Sequence, residues 1–453
     1  MGSTFVVDAL TTETWLTMRP DGSQSDRIVS SWKWDEPHTT LELKLRNDVF
    51  FHDGSQMTSD VGVKALQKSV IDQIAYSFSS IKSITAKGPD LIEVRLSEPN
   101  SFFIPDLSLT SVRLPEHPEI GTGPFQVVTS DEQNTGLKAN PKYYRGRPGV
   151  DQIEVNSYPT QRNAWAAMMR GEIDMLHEVS REAAEFVQAE TTVQTYSFPR
   201  PYYIPLVFNV RHPILRQVEV RRAINEAIDR VALVRDGMAG HGAPADGPVW
   251  PLHWAYSTPR PFPFDPDAAR HRLDRAGLTM RTATPRAAPM RFSFTCLVFA
   301  NDARFERLAV LIQKELADVG IDMRLEPLKQ GQLLPRISSG DFDAFVFEMA
   351  GRSLSWVYEF WRSHDGSMNN TGYTSADPVL DQLRAARTDD QVRAGVEALV
   401  RIMHDDPPAA FLAWQETSRA VSKNFEVMPE KQRDIFANIW QWHLAGPAKQ
   451  AAR

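Results

Sequence analysis

The stretch from 291 to 348 constrains the fold most. It alternates a strand over 291–299, a helix over 303–319, a strand over 321–328, a short helix over 331–339 and a strand over 342–348. In the longer helix Phe305, Leu308, Ala309, Ile312, Leu316 and Val319 recur at helical spacing, and Gly320 stops it. A β-α-β-α-β order implies parallel strands joined by right-handed crossovers, so the chain belongs to the α/β class. At 453 residues it has room for two or three domains with sizeable cores.

A second stretch, 202–234, starts as an apolar strand, Ile204–Asn209, and becomes a helix. Val220, Ala223, Ile224, Ala227, Ile228 and Val231 form its apolar face. Arg221, Arg222, Glu226, Asp229 and Arg230 form the polar one, with Glu226 four residues ahead of Arg230 as an expected ion pair. Upstream, the first 32 residues hold a short strand-like piece and a turn at Pro20-Asp21-Gly22. Thr39–Arg46 alternates as a strand, 60–70 is a helix, 80–98 is a hairpin, and 162–170 is a helix ended by Gly171. Downstream, 237–267 is irregular, 268–276 is a helix and 351–373 is a loop dense in Trp and Asn. Helices near 377–386 and 389–405 and a strand over 411–421 follow.

Composition removes several functions. The net charge of −7 is spread along the chain, whereas nucleic-acid binding needs clustered Lys and Arg. No run of about 18 apolar residues is present, so no spanning helix is expected. The start, MGSTFVVDALTTETW, lacks the basic and apolar regions of a signal peptide. Cys296 is the single cysteine, which excludes an internal disulfide and a Cys-rich zinc site; its strand position predicts a buried, inert thiol.

Motifs for chemistry are absent. There is no nucleophile elbow, phosphate-binding loop, H-E-x-x-H or C-x-x-C. Gly240-x-Gly242-x-x-Ala245 follows a helix rather than a strand and is interrupted by Pro244, so it is no dinucleotide fingerprint. His52-Asp53, His364-Asp365 and His404-Asp405 are polar turns rather than chelates, because adjacent side chains diverge. His212, His241 and His253 show no metal-ligand spacing. No cofactor, metal or catalytic set is therefore expected. A hydrolase built on two carboxylates needs no motif and stays open as an alternative. The positive signal is aromatic: Trp356, Tyr358, Phe360 and Trp361 crowd the segment just after a parallel strand, and open α/β sheets bind ligands beyond the carboxyl ends of their strands.

These landmarks occur in the order of one family. LRNDVFFHDGSQMTSD (45–60), GTGPFQVV (121–128), NPKYYRGRPGVDQIEV (140–155), MMRGEIDM (168–175), VFNVRHPILRQVEVRRAINEAIDR (207–230), AARHRLDRAGL (268–278), GDFDAFVFEM (340–349) and NNTGYTSADPVLDQLRAA (369–386) are the matching pieces. The chain resembles the extracytoplasmic solute-binding proteins of ABC importers, family 5, the peptide and nickel class. The resemblance implies a two-lobed periplasmic-binding-protein fold of type II kind. Lobe I would comprise 1–32, 119–209 and 415–453; an α+β subdomain over 33–118 would be inserted in it; lobe II would span 210–414. Family members usually carry a further strand ahead of the position of Phe5.

The same resemblance implies a non-enzymatic, monomeric protein of the periplasm or cell envelope. It would enclose a small peptide-like or other polar ligand between its lobes by hinge closure and deliver it to a membrane permease. A cytosolic ligand sensor with the same fold is the other alternative. The implied ligand-binding set is Glu13 (matching the glutamate of the family's YEGL segment), Trp15, Tyr202, Tyr203, Arg352, Trp356, Tyr358, Trp361, Asn369, Asn370 and Trp414. Peptide-binding members place an acid after the GDFDAFVF-like strand to hold the ligand's amino terminus. Here the loop is GRSLSWVYEFWRSHDG, with Arg352 near that place and Glu359 the only acid before Asp365. An acidic, sugar-like or modified ligand is thus expected over a peptide with a free amino terminus.

Overall fold

A computed structural model describes residues 3–72, 78–179, 187, 190–282, 289–300, 302–364 and 367–446. The chain divides into two units: residues 1–199 with 417–453, and residues 200–416. It passes from one to the other inside two long strands, Val193–Phe208 and Ala409–Ser422.

The first unit opens with a helix, Ser3–Thr11, where the sequence suggested a strand-like piece. Its Val and Thr residues favour strands locally, but the helix packs on the strands Phe125–Ser130 and Gln152–Asn156, and tertiary burial of Leu10 outweighs propensity. The expected strand at Thr39–Arg46 is Thr40–Leu45, with Leu41, Leu43 and Leu45 inward. It pairs antiparallel with Val29–Trp34 and Leu91–Leu96, and Ile81–Ala86 completes a four-stranded sheet. The helix Ser59–Asp72 covers this sheet, and Gly62 lets it approach: a Cβ there would lie 2.8 Å from Ile92 Cδ1. A three-stranded sheet, Phe125–Ser130, Asn134–Ala139 and Gln152–Asn156, and the helix Gln161–Met169 form the rest.

The second unit holds the predicted alternation. Phe292–Phe299 pairs in parallel with Ile321–Leu328 and with Ala344–Val346. The crossovers are the helices Ala303–Asp318 and Gln330–Ser339. Phe305, Leu308, Ala309, Ile312 and Leu316 are buried, as their spacing requires, in a core shared with Ile204, Leu206, Phe208, Val220 and Ile224. Cys296 lies in that core, and burial pushes its thiol well above the ordinary range.

Three further expectations need correction. The helix expected through Val231 ends at Glu226 and restarts at Arg230, where Asp229 caps the second piece through the Ala232 N–H. The Glu226–Arg230 pair does not form. Glu226 takes a two-pronged contact from Arg272, at 2.6 and 3.0 Å, and Arg230 turns inward to the carbonyls of Phe411 (2.6 Å) and Asn225 (3.1 Å). Burial pulls the Arg230 guanidinium down to about 10, still charged at neutral pH. The segment expected as a loop over 351–373 contains a helix, Leu354–Trp361. Its residues are apolar nearly all round, so no helical period marks it in the sequence.

Candidate functional site

The candidate site lies in the second unit, where the parallel strands end at Phe299, Leu328 and Val346. Beyond Val346 the chain turns through Phe347 and Glu348 and runs antiparallel to the crossing strand, with Tyr203 opposite Met349 and Tyr202 opposite Ala350. The Gly351 N–H continues the ladder to the Pro201 carbonyl at 2.9 Å. A side chain at 351 has no room: its Cβ would lie 2.6 Å from Trp414 Cη2 and 2.8 Å from the Pro248 carbonyl.

Strand alternation decides which residues face in. Tyr203 is fully buried. Its hydroxyl accepts the Trp361 indole N–H at 2.9 Å and lies 3.6 Å from Met349 Sδ. Its ring meets Phe411 and Trp414 at 5.8 and 5.1 Å between centroids. Trp250 stands edge-on to Trp414 at 4.9 Å, and Trp361 does the same to Phe411 at 5.5 Å. Burial raises the Tyr203 phenol far above its usual range, so it stays neutral. Asn369 is fixed beneath, donating to the Phe360 carbonyl at 3.1 Å. Tyr203, Trp361, Phe411 and Trp414 therefore form an interlocked aromatic floor.

Tyr202 faces the other way and is half-buried, with the Arg200 guanidinium 4.3 Å above its ring. Arg200 also approaches Glu348 at 3.8 Å. Glu348 accepts from Gln415 Nε2 at 2.9 Å, Gln415 accepts from Arg304 at 3.2 Å, and Arg304 grips Asp302, which caps the helix Ala303–Asp318. Arg352 and Trp356 are half-buried at the start of the helix Leu354–Trp361, and Trp356 stacks on Phe360 at 5.5 Å. Arg352 Nε and Trp356 Nε1 are both sheltered from solvent, and neither has a hydrogen-bond partner among the described residues.

The remaining expected residues sit elsewhere. Tyr358 is buried and donates to Asp381 at 3.0 Å, beside the Arg362 fork on the same carboxylate. Asn370 receives the Arg211 guanidinium on its carbonyl and its side chain. Glu13 and Trp15 belong to the first unit. Glu13 is enclosed by Arg27 Nε (2.9 Å), Tyr143 OH (2.9 Å), Thr122 Oγ1 (3.0 Å) and Tyr144 OH (3.1 Å), and Trp15 is fully buried in the core. These arrangements leave Glu13 an internal role in joining its segment to the 122 and 143 loops. Arg200, Glu348, Gln415 and Arg304 were not singled out from the sequence. The available signal was parity: Arg200 and Tyr202 lie two apart on one strand, as do Glu348 and Ala350 on its neighbour. Among the described residues no group of three or more His, Cys, Asp or Glu is placed to hold a metal, and no helix is long and apolar enough to cross a membrane.

The family model of bacterial extracellular solute-binding proteins, family 5, matches residues 25–371. The chain is 24% identical over 442 residues to the oligopeptide-binding protein AppA of Bacillus subtilis, covering 89% of this chain and 80% of that one. It is 26% identical over 325 residues to the glutathione-binding protein GsiB of Shigella flexneri, covering 67% and 61% respectively. Among solved structures, NikA from Brucella suis in complex with Fe(III)-EDTA superposes with a TM-score of 0.85 at 19% identity, covering 97% of this chain and 95% of that one. AppA from Bacillus subtilis in complex with a nonapeptide gives 0.80 at 21%, covering 98% and 94%. The fold is that of the two-lobed periplasmic binding proteins, and the chain belongs to the bacterial extracellular solute-binding proteins of family 5.

Proposed function

We propose that this chain captures a small polar solute outside the cytoplasmic membrane and hands it to the permease of an ABC importer. It does so without chemical conversion, and the rim of the second unit bearing Tyr202, Arg352 and Trp356 is part of the solute site. The observation that carries this reading is the pair of sheltered donors, Arg352 Nε and Trp356 Nε1, standing beyond the carboxyl ends of parallel strands with no partner among the described residues. Family membership supports capture, and the relatives are binding proteins by name.

The aromatic floor supports a rigid platform. Tyr203, Trp361 and Trp414 hold each other through one hydrogen bond and edge contacts, so the half-buried residues above them are presented with little freedom to lose on binding. Native mass spectrometry of the protein as purified from its own host, followed by thermal unfolding with whatever co-purifies, tests the reading. A retained small molecule that raises the melting temperature and is recovered unaltered is the expected result. Turnover of that molecule, lost on replacing a single carboxylate, would show an enzyme instead.

A further inference from the structure

Solute capture in general leaves two features of this rim unexplained. The first is a pair of arginines. The register that sets Tyr202 against Ala350, extended by the Gly351-to-Pro201 bond, brings Arg352 opposite Arg200 on the outward face. Like charges directly opposite each other weaken an antiparallel pair. Arg200 has compensation from Glu348 at 3.8 Å and from the Tyr202 ring. Arg352 forms no ion pair among the described residues, and Glu348 already accepts from Gln415. The second feature is the unmet N–H groups of Arg352 Nε and Trp356 Nε1, the first just ahead of the N-cap Ser353 and the second in the first turn of the helix it opens. A sheltered donor without an acceptor is costly, and two so near in the chain, on either side of the N-cap Ser353, can be met by a single acceptor group.

We infer that Arg352 and Trp356, with Arg200 across the strand pair, form a site for a carboxylate group of the captured solute. The inference rests on the rim being part of the solute site. A carboxylate fits because it only accepts, has two oxygens in one plane, and brings the counter-charge that Arg352 lacks. A neutral sugar hydroxyl could accept from the same N–H groups but would leave the Arg352 charge without a partner.

The test uses the full chain labelled with 15N and acetate as the probe. The Trp356 indole resonance is the one lost in Trp356→Phe. Titration with sodium acetate at constant ionic strength should move it saturably, and acetamide should leave it in place. Arg352→Ala should weaken the acetate response by roughly tenfold or more, as expected for losing a charge-assisted hydrogen bond. Arg352→Lys, which keeps the charge without the planar Nε edge, should weaken it several-fold and covers the case in which the alanine variant does not fold. An unmoved resonance, an equal response to acetamide, or an unchanged response in both Arg352 variants overturns the inference. A neutral molecule retained in native mass spectrometry also overturns it while leaving solute capture standing. Acetate binding by a protein that retains no solute supports the carboxylate site and counts against capture.

Discussion

Tyr202 and Tyr203 are neighbours on one strand with opposite surroundings, and replacing each hydroxyl by hydrogen tests the facing assignment directly. In Tyr203→Phe the ring keeps its contacts with Phe411 and Trp414, but the Trp361 indole N–H loses its acceptor at 2.9 Å. Both residues are buried, so water cannot replace the lost oxygen without opening the floor. Stranding one buried donor costs about 1–3 kcal/mol. For a unit of this size, that lowers the melting temperature by roughly 2–10 °C. Tyr202→Phe removes a hydroxyl from a half-buried ring that stays beneath Arg200, and its stability should hold within about 0.5 kcal/mol. The assay is urea unfolding followed by circular dichroism, with solute affinity measured in parallel. Tyr203→Phe should lose stability, while Tyr202→Phe should keep it and shift affinity. In a Trp361→Phe background the Tyr203→Phe change should cost less than in the wild type, because the stranded donor is gone. Equal stability of the two single variants, or a Tyr203→Phe loss undiminished in that background, would refute the register on which the site is built.

Three further outcomes follow from other parts of the structure. Gly351→Ala should destabilise by about 1–3 kcal/mol and weaken solute binding, since its Cβ meets Trp414 and the Pro248 carbonyl; unfolding and calorimetric titration read both effects. Glu13→Ala should cost about 3 kcal/mol or more, by leaving Arg27 and two tyrosine hydroxyls without their acceptor, with Glu13→Gln losing less; urea midpoints give the comparison. Glu315 has its carboxyl raised to about 7 by burial, although it accepts the Asp229 N–H at 3.2 Å. Because its folded value is raised, the folded state binds more protons between about 4.5 and 7, and stability falls as pH rises through that window. Glu315→Gln should therefore raise the melting temperature at pH 8 more than at pH 5, as thermal scans across pH would show.

The α/β class was legible because the helix Ala303–Asp318 carries its apolar residues at strict spacing between two clean strands. Local rules failed where burial outweighed them. Ser3–Thr11 is helical despite its Val and Thr residues, and Leu354–Trp361 is helical although apolar on nearly every side. Arg221 and Arg230 looked like solvent-facing charges, yet both turn inward to satisfy backbone carbonyls, a role that depends on carbonyls some 180 residues away at Pro407 and Phe411. For the proposed rim, Arg352 and Trp356 stood out in the sequence by type and position alone. Their neighbours Arg200 and Glu348 did not, because only the pairing of Tyr202 with Ala350 brings those segments together.

The division of the chain has a consequence for its synthesis. The second unit is one continuous run, 200–416, whereas the first is closed only by residues from 417 onward. Those late residues are integral to it: Ala420 and Val421 pair with Leu176 and Met175, and Arg419 joins Asp434 to the His177 carbonyl. As the chain emerges from the ribosome, the unit begun first must wait for its final strand until the whole of the other has been made. During that interval Leu176, Met168 and Val193 lack the Ala420 partner that completes their cluster. The cluster around Met168, Leu176 and Val193 is thus the last piece of the first unit to be completed, whereas the core from Trp15 to Val112 ahead of it uses no residue from beyond 417.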